Sequence, residues 1–289
     1  MTVLVVGASG MLGGAIYQTL AAHMNDQIFG VARSKSVVPE SFNNSRIIRV
    51  DDIFDQKALL DVIQKFEVNC IINAIGIIKQ IRGPKYNVEA IRLNAILPHY
   101  LSDIAAETGC RLVLVSTDCV FSGNRGMYTE ADTPDATDLY GRSKLLGEIA
   151  DKKHVLTIRT SIIGHESGRA ASLVDWALSQ KGKILGYTEA YFSGVPTVYL
   201  AKLLMDHLVL DDGLWGLWHV SAERISKYDL LDLISQKYGV NFELIPDSDV
   251  QIDRSLDSTK FREISGFVPE SWPKLITLMY DNKVKWERS

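Results

Sequence analysis

Cysteine is scarce in this sequence: Cys70, Cys110 and Cys119 are the only three in 289 residues, and they form no CxxC pair. An odd number of unclustered thiols excludes a disulfide-built scaffold and points to the reducing cytoplasm, with the cysteines as small buried apolar residues. Long hydrophobic runs are missing too. None approaches the roughly 20 residues that cross a bilayer, and the amino terminus passes at once into a strand and a glycine turn, so neither a membrane partner nor a signal peptide is expected. Charge of one sign is not concentrated either. With 31 Lys and Arg against 35 Asp and Glu, a net charge of −4 and no basic block, the chain offers no electrostatic footprint for nucleic acid. The six histidines lack ligand spacing, and His165-Glu166 does not continue into HExxH, so no metal site is expected.

What is present is a globular composition, 46% hydrophobic and 23% charged. Up to about residue 160, short β-branched runs alternate with helix-patterned segments, which predicts an α/β fold, a Rossmann-type doubly wound parallel sheet. The predicted strands are Val3 to Val6, Gln27 to Ala32, Arg46 to Val50, Asn69 to Ile72, Arg111 to Val115 and Val155 to Arg159. Their nearly continuous apolar character fits strands covered on both faces. Helices are predicted at Met11 to Ala22, Gln56 to Phe66, Lys85 to Thr108 with a bend at Pro98, and Asp138 to Ala150. Further helices are read at Ala170 to Gln180, Tyr199 to Leu210 and Ser226 to Tyr238, separated by a glycine- and aromatic-rich stretch. The division expected is residues 1–160 as a dinucleotide-binding domain and 161–289 mainly as a smaller substrate lobe, with the chain crossing between them more than once. Trp215, Trp218 and Tyr228 are assigned to the core of that lobe.

The first strand leads directly into Gly7-Ala8-Ser9-Gly10-Met11-Leu12-Gly13. Glycines at this spacing let the backbone turn tightly and approach a pyrophosphate, while the helix amino terminus offers free N–H groups and partial positive charge. The alternative is an ordinary glycine turn. At the end of the second strand an acidic residue would grip a ribose 2′-hydroxyl. Arg33-Ser34-Lys35 stands there instead, two cations and a hydroxyl suited to a 2′-phosphate, which favours NADP(H) over NAD(H) unless the segment is only a solvated basic loop. Asp51-Asp52-Ile53 can offer a carboxylate and an apolar wall to adenine, or cap the next helix. Asn73-Ala74-Ile75-Gly76 closes the fourth strand at the same edge.

Tyr140 and Lys144 lie four residues apart in a helical segment, so both project from one face. A carbonyl reductase requires that arrangement. Bringing a phenol of pKa about 10 near 7 takes roughly 4 kcal/mol of preferential phenolate stabilisation, for which a neighbouring ammonium and an oxidised nicotinamide ring are plausible sources. Of eleven tyrosines, only Tyr140 has a lysine at this spacing. It follows a strand ending in Ser116-Thr117-Asp118, whose hydroxyls reach the same sheet edge.

The strings Ser116-Thr117-Asp118-Cys119-Val120-Phe121-Ser122-Gly123, Tyr128-Thr129-Glu130 and Tyr140 to Lys144 with Gly147-Glu148 resemble the extended short-chain dehydrogenase/reductases and, within them, the dTDP-4-dehydrorhamnose reductase family. Arg159-Thr160-Ser161, Gly194-Val195-Pro196-Thr197 and Gly216-Leu217-Trp218-His219 extend the likeness over most of the chain. The resemblance implies NADPH-dependent reduction of a nucleotide-activated 4-keto-6-deoxyhexose. Thr117 would bind the substrate carbonyl, Tyr140 would donate the proton, and Lys144 would hold the nicotinamide ribose and tune Tyr140. Asn94 matches the family's structural asparagine. Gly10, Met11, Leu12, Arg33, Asp51, Asp52, Ile53 and the Asn73 to Gly76 turn would line the cofactor. Asp118, Ile162, Phe192 and Ser193 are the substrate-side candidates. Ile162 stands where many members place an aromatic shelf, and Ile77-Ile78-Lys79 replaces a more polar stretch.

Related sugar-nucleotide dehydratases carry glutamate two residues after the catalytic threonine, where this chain has Cys119, which argues against dehydration. An epimerase using the same Thr, Tyr and Lys remains an alternative. So does a non-catalytic NADP-binding subunit like the regulatory partner of methionine adenosyltransferase. A homodimer is compatible with every one of these readings.

Overall fold

A computed structural model describes residues 1–24, 27–38, 42, 46–78, 86–166, 172–209 and 213–288. Lys79, Lys85, Ala170 and Leu210, which entered the sequence reading, lie outside the described residues. Six strands arrive in the predicted order: β1 (Thr2–Val6), β2 (Ile28–Arg33), β3 (Ile47–Val50), β4 (Val68–Asn73), β5 (Arg111–Thr117) and β6 (Val155–Thr160). The C-terminal half adds β7 (Ile162–Ile163), β8 (Gly182–Tyr187), β9 (Ala190–Phe192), β10 (Val195–Pro196), β11 (Gly216–His219), β12 (Ile225–Ser226), β13 (Phe242–Asp247) and β14 (Ile252–Asp253).

The main sheet is parallel throughout, in the order β11-β6-β5-β4-β1-β2-β3. Its seventh strand, β11, was not expected, because four residues with one glycine carry little periodic signal. β1 shows why the sheet is buried on both sides. Val3 and Val5 enter one core cluster and Leu4 and Val6 the other, so none of these four residues is free to be polar.

The helices are α1 (Met11–Met24), α2 (Gln56–Lys65), α3 (Tyr86–Ala90), α4 (Leu97–Thr108), α5 (Leu139–Leu146), α6 (Leu173–Ser179), α7 (Thr197–Leu203), α8 (Lys227–Tyr238), α9 (Thr259–Ser265) and α10 (Trp272–Arg288). The bend foreseen at Pro98 is realised just upstream, as a π-helical turn over Ile91–Ile96 that joins α3 to α4. Proline cannot donate to the carbonyl four residues back, and a widened turn absorbs the missing bond. α5 stops at Leu146, short of the predicted Ala150, because Gly147 closes its last turn.

The smaller C-terminal lobe is richer in strands than the sequence indicated. The stretch before Pro196 holds β8, β9 and β10, with β8 paired to β13 and β9 lying between β12 and β14. α9 and α10 were also not anticipated. Trp218 is buried, but on β11 of the main sheet rather than in the core of the smaller lobe expected for it, and Trp215 is 42% exposed. No helix among the described residues is long and apolar enough to cross a membrane.

Candidate active site

Strand order reverses at β1, which pairs with β2 on one side and β4 on the other, so a crevice opens beyond the carboxyl ends of these strands. Gly7 follows β1 with φ +92°, a conformation costly to other residues. A Cβ on Gly13 would stand 2.1 Å from the Gly7 carbonyl oxygen, so α1 packs against the turn only because glycine is there. Two adjoining cavities of about 790 and 680 Å³ share Ser9, Gly10, Arg33 and Asp51 and form one groove along this edge. Gly7, Met11, Ser34, Asp52, Ile53, Ala74, Ile75 and Gly76 also line it.

Two cofactor candidates are placed elsewhere. Leu12 points into the core, and the buried Asn73 folds its side-chain oxygen back to accept the Ile75 N–H at 3.1 Å. The groove recruits residues that sequence reasoning missed. Glu166 reaches it from the C-terminal half. Arg92 lies over the Phe54 ring at 4.9 Å and 3.9 Å from Asp52. The helix cap considered for Asp51 and Asp52 belongs to Asp55, which accepts from Ala58 N–H at 3.0 Å.

Arg33 and Lys35 are exposed, and no carboxylate pairs with either among the described residues. Arg49, from β3, donates to the carbonyls of Arg33 (3.2 Å) and Ser36 (2.6 Å) and thereby fixes the turn that carries them. That staple joins adjacent strands and had no local sequence signature.

At the other end of the crevice β5 delivers Thr117 and α5 delivers Tyr140 and Lys144. Asp138 caps α5 by accepting the Gly141 N–H at 3.0 Å, which sets where the helix starts and so which face carries the pair. Thr117 is the hub. Its hydroxyl donates to Asp118 Oδ1 (3.1 Å), accepts from Cys119 N–H (3.1 Å) and is hydrogen-bonded to the Tyr140 side chain. Asn94, fully buried in the π turn, holds the surrounding frame: its side chain donates to Ile77 O (3.0 Å) and Ser143 Oγ (3.1 Å) and accepts from Ile77 N–H (2.8 Å). A π turn at a site is a recurrent way to aim one side chain off the regular helix face.

The electrostatics differ from the expectation that lysine lowers the phenol. Burial pushes the Tyr140 hydroxyl above its ordinary value, and the nearby Cys119 and Asp118 charges act in the same direction. Lys144 donates instead to Val115 O at 2.7 Å, and burial lowers its ammonium to about 8, with Glu148 opposing. Burial likewise raises Asp118, against the hydrogen bonds of Thr117 and Cys119. The protein alone therefore holds Tyr140 protonated, the state of a proton donor.

Behind this trio runs a buried network. Glu148 accepts from Ser116 Oγ at 2.5 Å and pairs with Arg159 through both carboxylate oxygens, at 2.9 and 2.7 Å. Arg159 continues to His219 Nε2 at 3.4 Å. His219 Nδ1 lies 2.9 Å from the Tyr128 carbonyl, and Glu130 accepts the His219 N–H at 2.8 Å. A neutral histidine donating from Nδ1 fits both contacts, and burial depresses its protonation further. The strings around Tyr128, Glu148, Arg159 and His219 were visible in the sequence, but not that they meet.

The substrate candidates divide. Asp118 is buried beside Thr117. Ile162 is partly buried against the core. Phe192 and Ser193 do not form an open cleft wall: Phe192 is buried against Trp272, with ring centroids 5.6 Å apart, and the buried Ser193 Oγ accepts the Leu256 N–H at 2.9 Å.

A family model described as the RmlD substrate binding domain matches residues 1–284. The chain belongs to this family. It is similar to the methionine adenosyltransferase 2 subunit beta of Danio rerio, 27% identical over 259 residues, covering 84% of this chain and 76% of that protein. It is also similar to the probable low-salt glycan biosynthesis reductase Agl14 of Haloferax volcanii, 26% identical over 260 residues, covering 86% and 84%. Among solved structures, a hypothetical dTDP-4-dehydrorhamnose reductase from Sulfolobus tokodaii superposes with a TM-score of 0.77 at 26% identity, covering 94% of this chain and 98% of that one. The Rossmann-type sheet with a smaller C-terminal lobe is thus the architecture this RmlD-family chain shares with its structural relatives.

Proposed function

We propose that the protein reduces the keto group of a nucleotide-activated sugar with NADPH, the favoured substrate being a nucleoside-diphospho-4-keto-6-deoxyhexose. The observation that carries this reading is the meeting of Thr117, Tyr140 and Lys144 at the carboxyl edge of the same sheet whose other end forms the glycine-lined groove. The groove fits a dinucleotide: the turn at Gly7 to Gly10 leads into the amino terminus of α1 beside it, and exposed cations at Arg33 and Lys35 suit a 2′-phosphate. Bound there, nicotinamide supplies the hydride to the carbonyl carbon.

The chain's own groups do the rest. Thr117 and Tyr140 share a hydrogen bond that a substrate carbonyl oxygen can replace, so that oxygen is held by two hydroxyls. Tyr140, kept neutral by burial, gives the proton as negative charge develops on the oxygen. Lys144 presents an ammonium for the ribose hydroxyls and, together with a cationic ring nearby, would stabilise the phenolate left once the proton has gone to the substrate oxygen. Residues 161–289 serve mainly as the substrate lobe that excludes water from the hydride path, with β11 and α7 crossing back to the larger one.

A non-catalytic NADP-binding subunit is the second reading, favoured by the similarity to the methionine adenosyltransferase subunit. One experiment separates the two: NADPH absorbance followed against thymidine-, uridine- and guanosine-diphospho-4-keto-6-deoxyhexoses, with the products identified. Stoichiometric NADPH consumption is expected with at least one sugar. Interconversion without consumption would indicate an epimerase, and tight NADPH binding with no turnover on any sugar would leave the binding subunit.

A further inference from the structure

Among the described residues Glu166 is the one from the C-terminal half that lines the groove's cavity of about 790 Å³, whose other lining residues all fall between Ser9 and Asp51. The chain that delivers it is held on both sides. Gly164 passes the start of α7 so closely that a Cβ there would lie 2.5 Å from Thr197 Oγ1. Asp175, in the first turn of α6, then gathers three groups. Its Oδ1 accepts from His165 Nδ1 at 2.6 Å, and its Oδ2 accepts the Glu166 N–H at 2.8 Å and the Ser172 hydroxyl at 2.9 Å. His165 is fixed from its far side as well, with Nε2 2.8 Å from the Tyr238 hydroxyl. Burial raises the Asp175 carboxyl, but these hydrogen bonds outweigh it and hold the group below its ordinary value, so the clamp is an ionised acceptor.

The cavity carries charge of both signs. Arg33 closes β2 and Lys35 follows it, so the acid that would grip a ribose 2′-hydroxyl at that strand end is missing. Glu166 brings a carboxylate to the same cavity from the other half of the chain, and Asp51, after β3, is the cavity's other carboxylate. An ionised carboxylate only accepts hydrogen bonds. It therefore favours a group that donates, such as a ribose hydroxyl, and opposes one that brings negative charge, such as a phosphate.

We propose that Glu166 reads the adenosine ribose of the coenzyme, accepting a hydrogen bond from the 2′-hydroxyl of NADH and opposing the 2′-phosphate of NADPH. The groove then binds both coenzymes, and the balance between them is set by Glu166 against Arg33 and Lys35. The inference rests on the reading above of this groove as a dinucleotide site. Glu166 acts on the coenzyme directly. Asp175 is a positioning residue, which holds the backbone from which that carboxylate extends.

The test titrates the full chain with NADPH and with NADH and follows coenzyme fluorescence, so no sugar substrate is needed. Glu166→Gln should raise the Kd for NADH by about tenfold, the scale of one hydrogen bond to a charged group. The same variant should lower the Kd for NADPH a few-fold, because a solvent-screened like charge is removed. Asp175→Ala should move both constants in these same directions by a smaller factor, whereas equal weakening of both coenzymes would deny it the positioning role. An unchanged ratio of the two constants in Glu166→Gln, or a rise in both, overturns this inference and leaves the dinucleotide site standing. So does wild-type protein that binds NADPH without detectable affinity for NADH. If Asp51→Asn moves the ratio and Glu166→Gln does not, the ribose is read from the β3 side and the inference falls. Wild-type protein that binds neither coenzyme overturns it together with the reading on which it rests.

Discussion

At the β2–β3 end of the groove Arg33 and Lys35 stand exposed, carry no carboxylate partner among the described residues and rest on a turn stapled by Arg49. At the β5–β6 end Lys144, Asp118 and Arg159 are all buried, and burial shifts both Lys144 and Asp118 toward their neutral forms. An exposed cation can be kept ready in water at small cost and acts when an anion arrives. A buried charge must be matched continuously by partners, and every mismatch becomes a change of protonation. Binding and chemistry are thus held at opposite ends of one sheet edge by opposite electrostatic means, and substitutions at the two ends should fail in different ways.

The sharpest break is expected at the buried end. Tyr140→Phe should lower turnover by about 10² to 10⁴ and leave NADPH affinity nearly intact, because the ring still packs while the donor proton is gone. Steady-state reduction with direct NADPH titration checks it, and unchanged turnover would remove Tyr140 as the acid. Arg159→Met should act on stability instead. It leaves Glu148 buried without the two hydrogen bonds from Arg159, at a cost of about 3–5 kcal/mol in unfolding free energy. Denaturant titration measures this. A loss well under 1 kcal/mol would mean that the network tolerates an empty place and does not frame the strand ends.

Arg33→Asp probes the exposed end. Removing one charge-assisted contact and adding repulsion should raise the NADPH-to-NADH ratio of KM values by roughly 10- to 100-fold, the scale of a hydrogen bond to a charged group. Stability should barely change, since the side chain is exposed. An unchanged ratio would mean that Arg33 does not read the phosphate, and a large fall in stability would undo the contrast between the ends.

These differences track what the sequence made legible. The glycine turn, the six strands and the Tyr140–Lys144 pair are local patterns in which a few consecutive residues announce a backbone shape or a helix face. Arg49, Glu148 and His219 act through partners distant in the chain. Their spacing in the chain carries no period. The same holds for β11, whose four residues become a strand because β6 offers an open edge. The expectation for Tyr140 failed for a related reason: a helical spacing puts Lys144 on the right face but cannot reveal that its ammonium is drawn to the Val115 carbonyl.

Lys144 sharpens the comparison through pH. Its folded value of about 8 lies below the ordinary lysine value of 10.5, so the ammonium is present below pH 8 and fades above it. NADPH affinity should therefore weaken by up to about tenfold per pH unit above 8. Stability moves the other way: between pH 8 and 10.5 the unfolded chain binds the proton more tightly, so folding is relieved of a buried charge as pH rises. Lys144→Met should abolish both steps, and a wild-type pH profile in that variant would assign them to another group.

Arg49→Met is the mildest test, and it asks whether readiness at the exposed end depends on the staple or on charge alone. The variant removes the two bonds to the Arg33 and Ser36 carbonyls, while Arg33 and Lys35 keep their charges. If the turn must be held for both to face the groove, the KM for NADPH should rise several-fold, the scale of one or two ordinary hydrogen bonds, and that for NADH should stay put. Equal rises for both cofactors would show that the staple supports the strand edge in general. No rise for either would show that cations at this end find a phosphate from a loose turn as well as from a fixed one, because long-range attraction does not require the geometry that proton transfer at Tyr140 demands.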